Sequence, residues 1–279
     1  MVNKVFGAIL TILILSGCAS VQDIPAGNRW MPNETNVQKL YADGRALFAE
    51  QPRTMARVRL AAQMLTDASL GLRYSAHNGD RLLESFMAPA AATAAVEAAE
   101  AWVFVADNET NGTVRITAAK AGITAARQAR ELQPDSVAGH YWYAIAVGLL
   151  ADADRSYGLK AVGEMEPALR RAIELDEQYE YAGPVRVLGL LLLRAPAPPI
   201  SIGSSRKGLR LLQRAAELFP DYPENLLYLA EAFRDNKRNV EARELLNKII
   251  NAPPWPNRQF ESVGWKTAAQ VLLRCVPAT

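Results

Sequence analysis

The 279-residue chain is predicted to be all-α. The expected architecture is a helical-repeat solenoid with about four cryptic repeats, extra N-terminal helices and a C-terminal capping helix. Three observations carry that prediction. Apolar residues recur at three- and four-residue spacing through Ala-rich segments separated by Pro, Gly, Asn and Asp, which is the period of a helix face. Val, Ile and Thr show no convincing alternation at the two-residue period of a half-buried strand. One phrase also recurs: Ala129-Arg130-Glu131-Leu132-Gln133-Pro134, Ala172-Ile173-Glu174-Leu175-Asp176-Glu177 and Ala215-Ala216-Glu217-Leu218-Phe219-Pro220 start 43 residues apart each time.

Composition agrees. With 50% apolar and 22% charged residues the chain can bury a sizeable core. Its 31 bases nearly cancel its 29 acids without forming a Lys/Arg block. Nucleic acid is therefore not an expected partner, because such binders carry a basic stripe. Two cysteines and two histidines leave little for a disulfide framework or a zinc site, and no metal or cofactor is expected.

Residues 1–17 read as a lipoprotein signal peptide. Lys4 ends a short basic region, and Val5 to Leu15 form an apolar run too short to span about 30 Å of hydrocarbon as a helix. Leu15-Ser16-Gly17-Cys18 resembles the bacterial lipobox, making Cys18 the expected lipidation site; the alternative is an ordinary secretory signal cleaved near Ala19. Ala19, rather than Asp, after the cysteine implies the outer membrane, facing the periplasm, with membrane contact through the lipid anchor alone. Residues 18–35, with Pro25, Gly27 and Pro32, read as a lipidated tether. Residues 36–279 are expected to form a single all-helical repeat domain.

Within that domain, Asn36 to Glu50 and Thr54 to His77 are amphipathic enough to pack as a pair. Ala88 to Ala101 contains nine alanines, favouring helix and close backbone approach. Asp107 to Gly112 is a turn. The clearest repeats occupy about residues 112–254. The last unit, Pro220 to Pro254, carries Leu226-x₂-Leu229-Ala230-x₂-Phe233, then Ala242-x₃-Leu246, then Pro254. That is the tetratricopeptide pattern: small residues where two helices approach, large ones filling the gap, and a proline to stop the second helix. The 43-residue units hold surplus residues, expected between the paired helices around Asp152–Gly158 and Arg194–Gly203. Pro196, Pro198 and Pro199 predict a stiff, extended second loop, either on a binding side or simply tolerated. Pro253-Pro254-Trp255-Pro256 breaks the array, and residues 255–279 supply the cap, in which Cys275 is expected to be buried.

Chemistry is sparse. His77 and His140 lack partners at useful spacing, the common nucleotide, metalloprotease and hydrolase motifs are missing, and Glu164 and Glu166 read as solvated surface. A non-catalytic protein is expected. The rings of His140-Tyr141-Trp142-Tyr143 cannot all enter one core, since a helix shows about a third of its surface to a neighbour. Tyr143 falls on a consensus apolar position; Tyr141 and Trp142 are candidates for a groove. Arg186 stands where the repeat wants an apolar residue facing its paired helix. It either finds a carboxylate or carbonyls in the core or lines a cavity.

Tyr179-x-Tyr181-Ala182-Gly183-Pro184-x-Arg186-x-Leu188-Gly189, continued by Arg194-Ala195-Pro196, Gly203-Ser204 and Pro220-x-Tyr222-Pro223-x-Asn225, goes beyond a generic repeat. It resembles the T-component family of TRAP transporters, tetratricopeptide-containing periplasmic lipoproteins. The likeness covers about Gly112 to Pro254; Asn36 to Phe104 matches only in being helical. The resemblance implies an accessory role in solute uptake, with a periplasmic solute-binding protein as partner, possible association of copies into a homo-oligomer, and a small apolar or organic-acid ligand passing through or beside the array. Tyr141, Trp142, Tyr181, Gly183, Pro184, Arg186, Arg194, Pro196 and Pro199 are the candidate binding or partner residues. The competing expectation is a scaffold for outer-membrane or cell-envelope protein assembly.

Overall fold

The computed structural model describes residues 34–277 apart from 52 and 77–80. The lipidation site, the signal peptide, nearly all of the tether and His77 lie outside the described residues. Helices follow one another along the chain: α1 (Glu34–Ala49), α2 (Met55–Ala76), α3 (Arg81–Asn108), α4 (Gly112–Leu132), α5 (Val137–Ala153), α6 (Gly158–Leu175), α7 (Tyr179–Arg194), α8 (Ser205–Leu218), α9 (Pro223–Asp235), α10 (Asn239–Asn251) and α11 (Gln259–Arg274). A short 3-10 turn, Arg155–Tyr157, joins α5 to α6. No strand occurs among the described residues.

The recurring phrase has one structural meaning. It ends α4, α6 and α8 in turn, and its alanine is fully buried each time: Ala129, Ala172 and Ala215. The carbonyl of each accepts the C-cap N–H, from Gln133, Asp176 and Phe219 at 2.8, 2.9 and 3.1 Å. The small residue lets the next pair approach, and the shared cap stops the helix at the same place.

Each helix packs on its sequence neighbour. The odd-numbered helices also touch one another, α3 on α5, α5 on α7, α7 on α9 and α9 on α11. Odd helices are therefore closely spaced and line the inner side of the stack, while even ones fan outward. The core follows this order. Val58 through Ala195 form one apolar cluster and Leu190 through Val276 a second, so burial passes from pair to pair. Ala91, Ala94, Ala95, Ala98, Ala99 and Ala101 are all buried in α3, as its alanine run requires. In the last unit Ala230 and Ala242 are fully buried, with Phe233 and Leu246 beside them.

The surplus residues divide differently from expectation. In the first 43-residue unit the connector is short, and α5 (17 residues) and α6 (18) exceed the 13 of α9 and of α10, so longer helices absorb most of it. Only the second unit spends its surplus on a loop. That loop is folded back rather than extended: Gly203 N donates to Pro196 O at 2.9 Å and Ser204 N to Leu192 O at 2.7 Å. Gly203 permits this reversal, because a Cβ there would lie 2.0 Å from the Ala195 carbonyl oxygen.

Two further expectations are corrected. Cys275 is exposed at the end of α11, because α11 packs on α9 and α10 and no other described helix covers its end. Glu164 is not a solvated carboxylate: it accepts hydrogen bonds from the Tyr143 and Tyr157 hydroxyls at 2.7 and 2.8 Å. Burial pushes its pKa up, but these bonds outweigh burial and hold it below its ordinary value.

Candidate interaction surface

Most candidate residues gather where α5, α7 and α9 follow one another on the inner side, while Pro196 and Pro199 lie apart on the loop between α7 and α8. Tyr141, on α5, is buried and stacks edge-on against both Trp142 (5.0 Å between ring centroids) and Tyr179 (5.5 Å). Gly183 lies beneath that ring, and a Cβ there would fall 2.8 Å from three Tyr141 atoms. His140 turns away, its ring N–H donating to Pro134 O at 2.7 Å, and burial lowers its pKa. Tyr143 is core, its ring under the Arg130 guanidinium.

The start of α7 is unusual. Glu180, Tyr181 and Ala182 have φ of 48°, 56° and 62°, three successive non-glycine residues in the left-handed region. Each such residue costs roughly 1–2 kcal/mol. This turn aims the Tyr181 carbonyl inward, where it accepts from Arg186 Nη1 (3.2 Å) and Asn225 Nδ2 (3.1 Å).

Arg186 is only 3% exposed. Instead of facing α8, its guanidinium reaches α9. Nη1 donates to Asn225 Oδ1 at 2.8 Å, Nη2 pairs with Glu224 at 2.9 Å, and the group lies over the Tyr222 ring. Nε is buried without a partner. Arg186 is thus a carboxylate-paired core cation that ties two repeats together. Gly183 and Pro184 are buried with it, forming the wall behind the surface. Arg194 is half-buried, pairs with Glu231 at 3.0 Å and lies over Tyr228. Pro196 is half-buried, and Pro199 is exposed at the tip of the 195–204 loop.

Several residues of this face escaped the sequence reading. Glu224 and Tyr228 sit one repeat beyond Arg186, beside Asn225 of the motif, and an apolar-position Arg was the signal pointing to a partner there. Trp255, Arg258 and Phe260 arrive from the C-terminal end. Trp255 meets the rings of Tyr181 (5.5 Å) and Tyr222 (5.2 Å), and Arg258 pairs with Glu180 at 2.6 Å. Two half-buried carboxyls of α3 complete the picture. Burial, with Glu180 adding to it, pushes Glu100 up to about 7 against the pull of Arg258 and Arg53. Burial, with Glu224 adding to it, pushes Asp107 up to about 7, and its Oδ1 has no hydrogen-bond partner.

Fold and surface together define an all-α, tetratricopeptide-like helical-repeat solenoid with an aromatic and ionic inner face. The tetratricopeptide repeat family model matches residues 206–255, from α8 through α10. Among solved structures, the crystal structure of a thermophilic tetratricopeptide-repeat protein from Thermus thermophilus is similar at 17% identity. The match covers 84% of this chain and 99% of that one, with a TM-score of 0.55, a likeness of fold. A computationally designed self-assembling cyclic homo-oligomer matches at 17% identity over 86% of this chain and 94% of that one, but its TM-score of 0.28 carries no argument. No curated protein matches the chain.

Proposed function

We propose that this chain is a non-catalytic scaffold that binds a protein partner along its inner face. The carrying observation is the run of half-buried rings on consecutive inner elements: Trp142 on α5, Tyr179 and Tyr181 on α7, Tyr228 on α9 and Trp255 beyond α10. Half-buried rings offer large apolar contact at low conformational cost, with a polar edge to orient a bound segment.

The partner we assign is a periplasmic solute-binding protein of TRAP-type uptake. The Tyr181-to-Pro196 motif and its continuation to Asn225 support this, as does the lipobox at Cys18, which would place the scaffold on the outer membrane facing the periplasm. The test uses lipid-free residues 19–279 as bait in periplasmic extract of the source organism, with mass spectrometry of what is retained. A solute-binding protein should be recovered, and Trp142→Ala or Arg194→Ala should reduce its recovery several-fold with helicity unchanged. Recovery of cell-envelope assembly proteins instead would replace this reading with the envelope-scaffold alternative.

A further inference from the structure

The C-terminal segment does more than cover the open end of the stack. Between α10 and α11 the chain runs Pro253-Pro254-Trp255-Pro256-Asn257-Arg258. Asn257 at φ 60° turns it so that Arg258 N donates to Trp255 O at 3.1 Å. Ser262 Oγ locks the turn, accepting from Trp255 N at 2.9 Å and donating to Arg258 O at 2.7 Å. Trp255, Arg258 and Phe260 then reach elements far away in sequence. Trp255 packs edge-on against Tyr181 and Tyr222, which stack on each other at 4.3 Å, Arg258 meets Glu180 and the Tyr181 ring, and Phe260 packs on Phe104 of α3 at 5.6 Å.

The receiving side is arranged for such a segment. The left-handed turn Glu180–Ala182 presents a carboxylate and a ring side by side, and Glu100 adds a second carboxyl close to both Glu180 and Arg258. A cation flanked by two rings therefore meets a carboxylate beside a ring. Strained backbone at such a point belongs with binding sites, where surrounding structure holds it in place.

We infer that this seat on the inner face is where the solenoid takes its partner, and that Trp255–Phe260 occupies it as an intramolecular stand-in. The partner it fits presents a Pro-flanked turn with an Arg between two aromatic residues, and it binds by displacing the chain's own. The inference rests on the proposed scaffold function and deepens it by giving the partner's chemistry. Charge complementarity at Glu180, ring complementarity at Tyr181 and Tyr222, and the locked turn of the occupant all favour it.

The probe is a fluorescein-labelled synthetic peptide of residues 253–264, read by anisotropy against the full chain and full-length variants. Trp255→Ala with Arg258→Ala and Phe260→Ala vacates the seat, so the peptide should bind this variant at least tenfold tighter than the unsubstituted chain. Adding Glu180→Gln should reverse that gain. Glu180→Gln alone, with fold checked by circular dichroism, should speed amide exchange of residues 258–262 at least tenfold and leave α4–α6 unchanged. Equal peptide affinity for vacated and unsubstituted chains, or unchanged exchange in Glu180→Gln, overturns the inference. Retained partners separate the two readings: a solute-binding protein captured without peptide competition sinks the seat but keeps the function. Peptide binding with only envelope-assembly proteins captured keeps the seat and sinks the assigned function.

Discussion

Arg186 illustrates how one side chain links two repeats. Its guanidinium is removed from water and held by Glu224, Asn225 and the Tyr181 carbonyl, an arrangement in which desolvation is large and pairing must offset it. Arg186→Leu should destabilise the fold by about 3 kcal/mol in urea unfolding, the low end of breaking a buried pair, because Glu224 keeps some access to water. Combining it with Glu224→Leu should recover part of that loss, since no carboxylate is then stranded. A second residue-scale consequence concerns Glu100. Its folded pKa of about 7 lies above the ordinary 4.5, so the unfolded chain releases this proton first as pH rises. Its contribution is complete below about 4.5 and is lost as pH climbs to about 7. His140, with a lowered pKa, acts in the opposite sense, so the difference between variants isolates Glu100. Glu100→Gln, compared with the unsubstituted chain, should gain about 2 kcal/mol in relative stability between pH 5 and pH 8, measured by urea titration at each pH.

At the scale of the element, helix placement was legible because it depends on local chemistry. Three-four apolar spacing, capping punctuation and the recurring Ala-x-Glu-Leu phrase are written within a few residues of what they determine. What was not local was not legible. Whether surplus residues lengthen α5 and α6 or form a loop depends on what the helix ends pack against. Likewise Cys275 reads as part of an apolar helix, but none of the described helices packs over the end of α11 to cover it. The same logic predicts opposite sensitivities. Ala230→Leu, at the closest approach of α9 and α10, should cost about 1–3 kcal/mol through overpacking. Val263→Ser, on the outer face of α11 and 64% exposed, should change stability by less than about 0.5 kcal/mol. Gly203→Ala forces apart the backbone of the 195–204 loop and should approach about 3 kcal/mol, read as a lowered midpoint in the same denaturant series.

For the whole molecule, the decisive contacts join segments no sequence period connects. A stack whose units touch only their neighbours unfolds as a one-dimensional array, with each interface free to open by itself. Here α11 bridges back across the stack. Glu261 pairs with Arg53 at 3.2 Å, 208 residues away; Phe260 meets Phe104, which also contacts Phe48; and Arg258 reaches Glu180. These contacts close the row on itself, so opening one interface strains the others and unfolding becomes more cooperative. Individually each is modest: a half-exposed ion pair contributes about 0–1 kcal/mol and an aromatic contact about 0.5–1.5. Their effect on cooperativity should therefore exceed their effect on stability. Phe260→Ala with Glu261→Ala should lower the midpoint only slightly but reduce the apparent m-value, because the α1–α3 end melts before α7–α10. Urea titration followed by circular dichroism would report the broadened transition, and amide exchange would report earlier opening at α1–α3. A single transition of unchanged slope would mean that neighbour packing alone, without the bridge, already makes the array unfold as one body.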